Sequence, residues 1–462
     1  SINELLTDFG KATLQDRYLL AGESFQEMVQ RVAVAYADNQ EHAQRIYDYI
    51  SKMWFMPATP ILANGGTNRG LPISCFLNEM QDSLDSIAQT WNENVYLAAT
   101  GGGIGTHVGN IRSINEKITQ RGQTTGVIPF IKVVDSMTLA VSQGALRRGS
   151  AAVYMQDTHP EIEEFIDIRR PTGDTNRRSL NIHHGVCISD EFMRAVGTGA
   201  MWDLKSPSTG EVLSTINARD LWIKILASRV ETGEPYVLFT GNAQKNKSKV
   251  YTELEEKYNQ KVKTSNLCIE IMLHTGFDHL QKERTAVCCL SSLNLEYFDE
   301  WKNNELFIED VARFLDNVLQ DFIDRAPDAM ERAKYSAMRE RSIGIGVMGF
   351  HSFLQSKKTP FESVAAKSWN KAIFKHICEK CDIANEKLAD EKGACPDALE
   401  LGINNRFSNV LAVAPTASIS NICGESSPGI EPYAANVYTQ KTLSGSFIVR
   451  NKSLKQLLQE KG

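Results

Sequence analysis

Apolar residues recur at helical spacing through the first fifty-five positions. Ser24, with Gln26 and Glu27 behind it, opens a run carrying Met28, Val29, Val32, Ala33 and Ala35. A second run over 41–54 puts Ile46, Tyr49, Ile50 and Met53 on one face. Pro57, Pro60, Gly65, Gly66, Gly70 and Pro72 then predict a turn-rich piece over 57–72. From about 73 the pattern alternates between short apolar segments and amphipathic ones. Helices are expected over 85–99, 127–142, 161–169, 219–231, 308–339 and 366–391. Strands are expected over 150–155, 185–189, 236–240 and 285–295, with polar turns at 302–305 and 357–362. No internal repeat or obvious linker interrupts the chain, so the pattern predicts α/β organisation.

Composition narrows the function classes. A chain of 462 residues can bury a large core. Its formal charge of −6 offers no general basic surface, so no nucleic-acid partner is expected. Arg147-Arg148 and Arg177-Arg178 could still hold small phosphorylated ligands. No run of about 18 apolar residues predicts a membrane span. Ser1-Ile2-Asn3-Glu4 lacks a basic stretch followed by an apolar one, so no secretory signal is expected. Nine cysteines, an odd number, fit a reducing cytoplasmic setting better than a disulfide framework.

Three of those cysteines stand in suggestive contexts. Asn266-Leu267-Cys268-Ile269-Glu270 alternates an amide, a thiol and a carboxylate, which an extended stretch would turn to one side. A thiol so flanked can serve as a radical or nucleophilic centre beside a general base. Cys75 follows Leu71-Pro72-Ile73-Ser74, and Cys288 opens Cys288-Cys289-Leu290-Ser291-Ser292-Leu293-Asn294-Leu295. Taken singly, each cysteine is more often a small packed core group. Together these contexts resemble the catalytic large subunit of ribonucleotide reductase, and the resemblance runs from about 55 to 450.

The resemblance implies a ten-stranded α/β barrel of two five-stranded halves, with a central finger loop carrying Cys268. It divides the chain into a helical N-terminal region, 1–55, and a reductase barrel with its specificity loops, 56–462. It implies that Cys268 carries a thiyl radical which removes the ribose 3′ hydrogen, that Glu270 is the general base, and that Asn266 holds the sugar. Cys75 and Cys288 would supply the reducing electrons by becoming a disulfide, with Cys289 a second candidate beside Cys288. Pro415-Thr416-Ala417-Ser418-Ile419-Ser420 reads as a strand-to-turn segment, and the family uses the match to hold the substrate diphosphate, with Thr59 and Ser74 contributing.

Asp82-Ser83-Leu84-Asp85 is by itself an ordinary helix N-cap. In the family an aspartate here binds the ribose of an allosteric nucleotide. Gly103-Ile104-Gly105-Thr106-His107-Val108-Gly109-Asn110-Ile111-Arg112-Ser113 matches as well, with Arg112 for the effector phosphates and Ile118 on a first specificity loop reaching Gly126. Residues 170–180 correspond to a second loop, with Arg178 the messenger to the substrate. Taken alone, that stretch is a solvated surface loop.

Two further strings are decoys. Gly344-Ile345-Gly346-Val347-Met348-Gly349 fits a dinucleotide fingerprint without the acidic residue that should follow. Cys378-Glu379-Lys380-Cys381 is half a zinc site on a helical stretch, and no metal is expected on this chain.

The expected activity is reduction of ribonucleoside diphosphates under deoxynucleotide and ATP effectors. Expected partners are a homodimer mate, a ferritin-like, metal-containing small subunit as radical source, and a thioredoxin- or glutaredoxin-type reductant. Adenosylcobalamin as radical source is the alternative, and a glycyl-radical version is not expected, since no Arg-Val-Cys-Gly-Tyr-type loop is read at the end of the sequence. Outside this chemistry stand a non-catalytic nucleotide-binding relative and a thiol transferase. Only 74 residues precede Cys75, so an ATP-binding cone is not expected. No adjacent tyrosines occur, and the barrel reads as incomplete after Ser444-Gly445-Ser446-Phe447, so a continuation or second chain is expected.

Overall fold

The computed structural model describes residues 1–118, 120, 122–141, 150–442 and 445–462. Arg147, Arg148 and Ser444 therefore lie outside the described residues. The chain divides into two compact units. One comprises Ser1–Ile73, Cys288–Arg325 and Met338–Gly462; the other comprises Ser74–Val287 and Ala326–Ala337.

The second unit is built on a six-stranded sheet in the order Tyr236–Phe239, His183–Ile188, Ser150–Gln156, Gly103–His107, Cys75–Glu79 and Ala286–Val287. The first five strands run parallel and the last is antiparallel. Side chains alternate between faces along each strand. Ala151, Val153, Met155, Val186 and Ile188 join one large core with Ile131, Val134, Phe192, Leu221 and Ile225, from the helices Ile128–Val141, Asp190–Thr198 and Ala218–Thr232. Ala152, Tyr154, Cys187 and Leu238 form a separate cluster on which Leu267, Ile269 and Met272 pack. That second face carries the candidate chemistry.

The first unit gathers the N-terminal helices around a smaller sheet. Phe55–Pro57 runs antiparallel to Cys289–Asn294, which runs parallel to Ile343–Met348. Ser24 caps the Phe25–Ala35 helix in a reciprocal box with Glu27, as the serine–glutamate spacing predicts. The Gln40–Ser51 helix is tied to Phe307–Arg325 through buried Asp310, which accepts from Arg45 (2.8 Å) and Tyr49 (2.8 Å). A buried carboxylate is tolerable because it is paired in this way.

Several expectations need correction. Residues 57–72 hold a helix, Thr59–Asn64, because Pro60 is tolerated in a first turn. The 161–169 helix shrinks to Ile162–Ile166. The 308–339 helix breaks after Arg325, before Pro327, whose ring disfavours helix in the residue ahead of it. The single strand expected over 285–295 is two, Ala286–Val287 and Cys289–Asn294, in different sheets with Cys288 between them. The parallel run of five strands accounts for one expected half of the sheet architecture. In the other half the described residues show three strands and one bridge, Ile345 to Leu411. Pro415, which lacks an N–H for a ladder, follows that bridge closely.

Candidate active site

Two glycines explain where Cys268 is held. Gly103 and Gly105 point the same way from the Gly103–His107 strand, and the segment 263–272 lies on them. A Cβ on Gly105 would fall 1.9 Å from the Ser265 carbonyl oxygen, and one on Gly103 would be 3.2 Å from Leu267. Tyr154, from the neighbouring strand, donates its hydroxyl to the Asn266 carbonyl. The loop then closes on itself. Ser265 Oγ donates to the Ile271 carbonyl (2.6 Å), and the Ile271 N–H donates to Asn266 Oδ1 (3.1 Å).

Residues 266–270 are not extended, so the alternation argument fails. They form a tight turn in which Ile269 takes φ +63°, unusual for a β-branched residue. The Asn266 and Glu270 side chains meet nevertheless: Asn266 Nδ2 donates to Glu270 Oε2 at 2.8 Å. Cys268 is at the exposed tip of that turn, while Asn266 is buried. Burial raises the Glu270 pKa above the ordinary carboxylate value, and the Asn266 hydrogen bond opposes the shift. A carboxylate so placed is a better proton acceptor than one in water.

The other cysteines lie at strand ends. Cys75 opens the Cys75–Glu79 strand, half-buried, directly after buried Ser74, whose carbonyl accepts from the Gly103 N–H at 2.7 Å. Cys288 and Cys289 are both buried but turn different ways. A Cβ on Gly344 would come within 2.9 Å of Cys288 Sγ, whereas Cys289 Sγ faces the Leu315 carbonyl at 3.4 Å.

Thr59 opens its helix with Oγ1 2.8 Å from the Tyr18 hydroxyl. Thr416 is buried at φ +51° and its Oγ1 accepts from the Gly429 N–H at 2.8 Å. Ala417 and Ser418 are exposed, and Ile419 begins a four-residue helix, Ile419–Ile422. The strand expected before that turn does not form.

Asp82 and Arg112 come together: the Arg112 Nε is 3.0 Å from Asp82 Oδ2, and its backbone N–H donates to Oδ1 at 3.1 Å. Ser83 caps the Leu84–Ala99 helix by accepting from the Ser86 N–H. Ile118 is exposed on a short hairpin that pairs it with Gly122. Arg178 folds back on its own loop, donating to the Thr172 carbonyl at 2.9 Å. Arg177 is committed to Glu164 by two bonds of 2.5 and 2.6 Å, so its guanidinium is already engaged by a carboxylate.

Both decoys fall within regular elements. The 344–349 string is mostly the buried strand Ile343–Met348 itself. Cys378 and Cys381 lie one turn apart on the Val364–Lys392 helix, and Cys381 is buried. Among the described residues no group of three His, Cys, Asp or Glu could hold a metal ion, and no helix is long and apolar enough to cross a membrane.

Sequence reasoning missed Gly105, Tyr154 and Ser265 as supports of the loop. Alternate glycines on a strand were the available signal, since they mark a close backbone approach.

Comparison with known proteins bears on the whole chain. The family model "Ribonucleotide reductase, barrel domain" matches residues 73–400 and 399–462, and "Ribonucleotide reductase, all-alpha domain" matches 4–70. A ribonucleoside-diphosphate reductase large subunit of Invertebrate iridescent virus 3 is 40% identical across all of this chain and 79% of its own length. That of Plasmodium falciparum is 31% identical over 98% of this chain and 63% of its own. Among solved structures, the Actinobacillus ureae class Id ribonucleotide reductase alpha subunit superimposes with a TM-score of 0.85 at 33% identity, covering 99% of this chain and 80% of that one. Matched from its N-terminal helices through its barrel, the chain belongs to the ribonucleotide reductase family as a large, catalytic subunit, an oxidoreductase acting on ribonucleoside diphosphates.

Proposed function

We propose that Cys268 is the radical centre and that Asn266 and Glu270 serve it. The observation that carries this is the 2.8 Å bond joining the amide to the carboxylate on either side of the exposed thiol. A thiyl radical at Cys268 takes the ribose 3′ hydrogen, and Glu270 accepts the 3′-hydroxyl proton while Asn266 orients the sugar. The 2′-hydroxyl leaves as water with a proton from a thiol. Cys75 and Cys288 together give up two electrons and two protons and become a disulfide. Hydrogen returned from Cys268 to C3′ regenerates the thiyl radical. Of the adjacent pair, Cys288 takes this role and Cys289 is a packed core thiol, in keeping with its contact to the Leu315 carbonyl.

Thr416, Ala417, Ser418 and Ile419 hold the substrate diphosphate, joined by Thr59 and Ser74. We assign 1–55 to a helical N-terminal region and 56–462 to the reductase barrel. The large-subunit assignment implies a nucleotide substrate and a small-subunit partner. We take that partner to be ferritin-like and metal-containing, and a thioredoxin- or glutaredoxin-type protein to re-reduce the cysteine pair.

A single turnover without reductant tests the chemistry. Two thiols per active site should disappear, and mass spectrometry should find Cys75 joined to Cys288. Cys75 joined to Cys289 would exchange the roles of the neighbours. Unchanged thiols with product formed would remove the dithiol from the mechanism.

Asp82, Ser83, Arg112 and Ile118 form the effector site, with Arg178 relaying its state to the substrate. Leu84, Tyr96, Val133 and Leu139 are exposed on the neighbouring Leu84–Ala99 and Ile128–Val141 helices, an apolar surface suited to a two-fold dimer. Asp82→Ala with Arg112→Ala should weaken deoxynucleotide binding by about tenfold or more, as loss of charge-assisted contacts demands. Light scattering should then show less effector-driven dimer. Unchanged mass and affinity would place the effector elsewhere.

A further inference from the structure

Gly103 and Gly105 set how closely the Cys268 loop approaches the sheet, but two bare glycines give it no hold along the strand. Between the Lys249–Tyr258 helix and the Gly276–Phe277 strand the chain forms no regular element, so no backbone ladder fixes its register. Its order along the sheet is nevertheless definite. Leu267 lies over Gly103, and Ser265 lies over Gly105. Lys263 reaches the next position of that face, since its Nζ is 3.3 Å from Oε1 of Glu79, whose strand partner is His107. The loop therefore runs along the sheet towards the end where Cys75 stands opposite Gly103.

Glu79 anchors the far end. It shares a strand face with Cys75, four residues and about 13 Å away. Its carboxylate is buried, 2% exposed. Oε1 accepts from Gln81 Nε2 at 2.8 Å, from Asn110 Nδ2 at 3.2 Å and from Lys263, while Oε2 accepts the Thr275 hydroxyl at 2.6 Å. Lys263 and Thr275 are the entrance and exit of the loop, so one carboxylate holds both of its ends. Gly276, next in the chain at φ +74°, has no room for a side chain, because a Cβ there would come 2.4 Å from Oε1. Burial opposes ionisation of Glu79, but Lys263, His107 and the bonds from Thr275 and Gln81 hold its carboxyl below the usual value. Burial also pushes the His107 ring down to about 4, so at neutral pH Lys263 is the cation that balances Glu79.

We propose that Glu79 and Lys263 are positioning residues for hydrogen transfer, setting the register of the 263–275 loop along the sheet and with it the place of Cys268 relative to Cys75. The inference rests on the reading of Cys268 as the radical centre. The glycines fix the height of the loop and the ion pair fixes its slide along the strand. A slip of about 1 Å would carry the thiol out of line with C3′, to which hydrogen transfer is steeply sensitive. Neither Glu79 nor Lys263 touches substrate in this scheme.

The test compares Glu79→Gln, Lys263→Met and Lys263→Arg with the unaltered large subunit, each assembled with its radical-generating partner. Three quantities are measured: CDP affinity, turnover of CDP, and the isotope effect on turnover when C3′ carries deuterium. Glu79→Gln and Lys263→Met should turn over about tenfold to a hundredfold more slowly while binding CDP within about threefold of the unaltered enzyme. Their 3′-deuterium isotope effect should rise, because hydrogen transfer to Cys268 becomes the slow step. A fold weakened in general would lower the amount of active enzyme and leave the isotope effect where it was. Lys263→Arg, which keeps the charge and the reach, should recover most of the turnover. Should Glu79→Gln fail to fold, Lys263→Met carries the test, since the Lys263 side chain is 47% exposed. A Lys263→Met enzyme with the turnover and isotope effect of the unaltered one overturns the proposal. Slower turnover with an unchanged isotope effect overturns it too, as does a loss of CDP affinity in step with turnover, which would place the pair in the binding site. If Cys268→Ser, run alongside, still turns over, the radical assignment itself fails whatever these variants do.

Discussion

Cys268→Ser should abolish deoxynucleotide formation, by at least about a thousandfold, or roughly 4 kcal/mol in the barrier. The thiol S–H bond is close in strength to the sugar C–H bond, so hydrogen passes between them with little cost in either direction. A serine O–H bond is far stronger, so a seryl radical would not form in the first place. Nothing else about the site should change much. Cys268 is at the exposed tip of its turn, and hydrogen bonds of Ser265, Asn266 and Ile271 close that turn. Substrate and effector binding should therefore persist, which separates lost chemistry from lost structure. The measurement is product formed per site with the radical source in excess. A variant that still turns over at a tenth of the normal rate would remove Cys268 from the radical role.

Gly105→Ala should cost almost as much without touching a reacting group. Its strand is hydrogen-bonded on both sides, with Gly105 opposite Leu77 on one neighbour and Ala152 on the other, so the strand has nowhere to move. The added Cβ would fall 1.9 Å from the Ser265 carbonyl oxygen and 2.8 Å from the Asn266 Cα. The loop must lift, and Cys268 and Glu270 lift with it. A displacement of this order is worth about a hundredfold in turnover, with a further loss of about 1–3 kcal/mol in stability. Gly197→Ala is the control, since that helical glycine has open space around it and alanine is the better helix former. Full turnover in Gly105→Ala would mean that the sheet does not set the height of the loop that carries Cys268.

Much of the fold is legible in the sequence. The Ser24–Glu27 box, the helices over 85–99, 219–231 and 366–391, and the strands near 150, 185 and 236 follow from periodicity and capping, which are local. Family membership was legible from three cysteine contexts in order. The errors cluster where a distant partner decided the outcome. Residues 285–295 read as one strand in the sequence, yet Val287 pairs with Phe76 while Cys289 pairs with Ile343. No local pattern announces that a strand changes sheet at Cys288.

The loop shows the same division. The residue types at 266, 268 and 270 mark them as candidates from sequence alone, because an amide, a thiol and a carboxylate are chemically distinctive wherever they stand. Their arrangement was predicted wrongly, as an extended strand with three side chains on one side. The turn at Ile269 is held by a tyrosine more than a hundred residues earlier and by two glycines that leave room for it. Likewise Asp82 and Arg112 could be picked out singly, but their ion pair depends on folding. Sequence alone determined the composition of the candidate site and the local elements, since both depend on covalent chemistry and on neighbours within a few residues. Tertiary structure decided where each group points, since that depends on close packing among residues far apart in the chain.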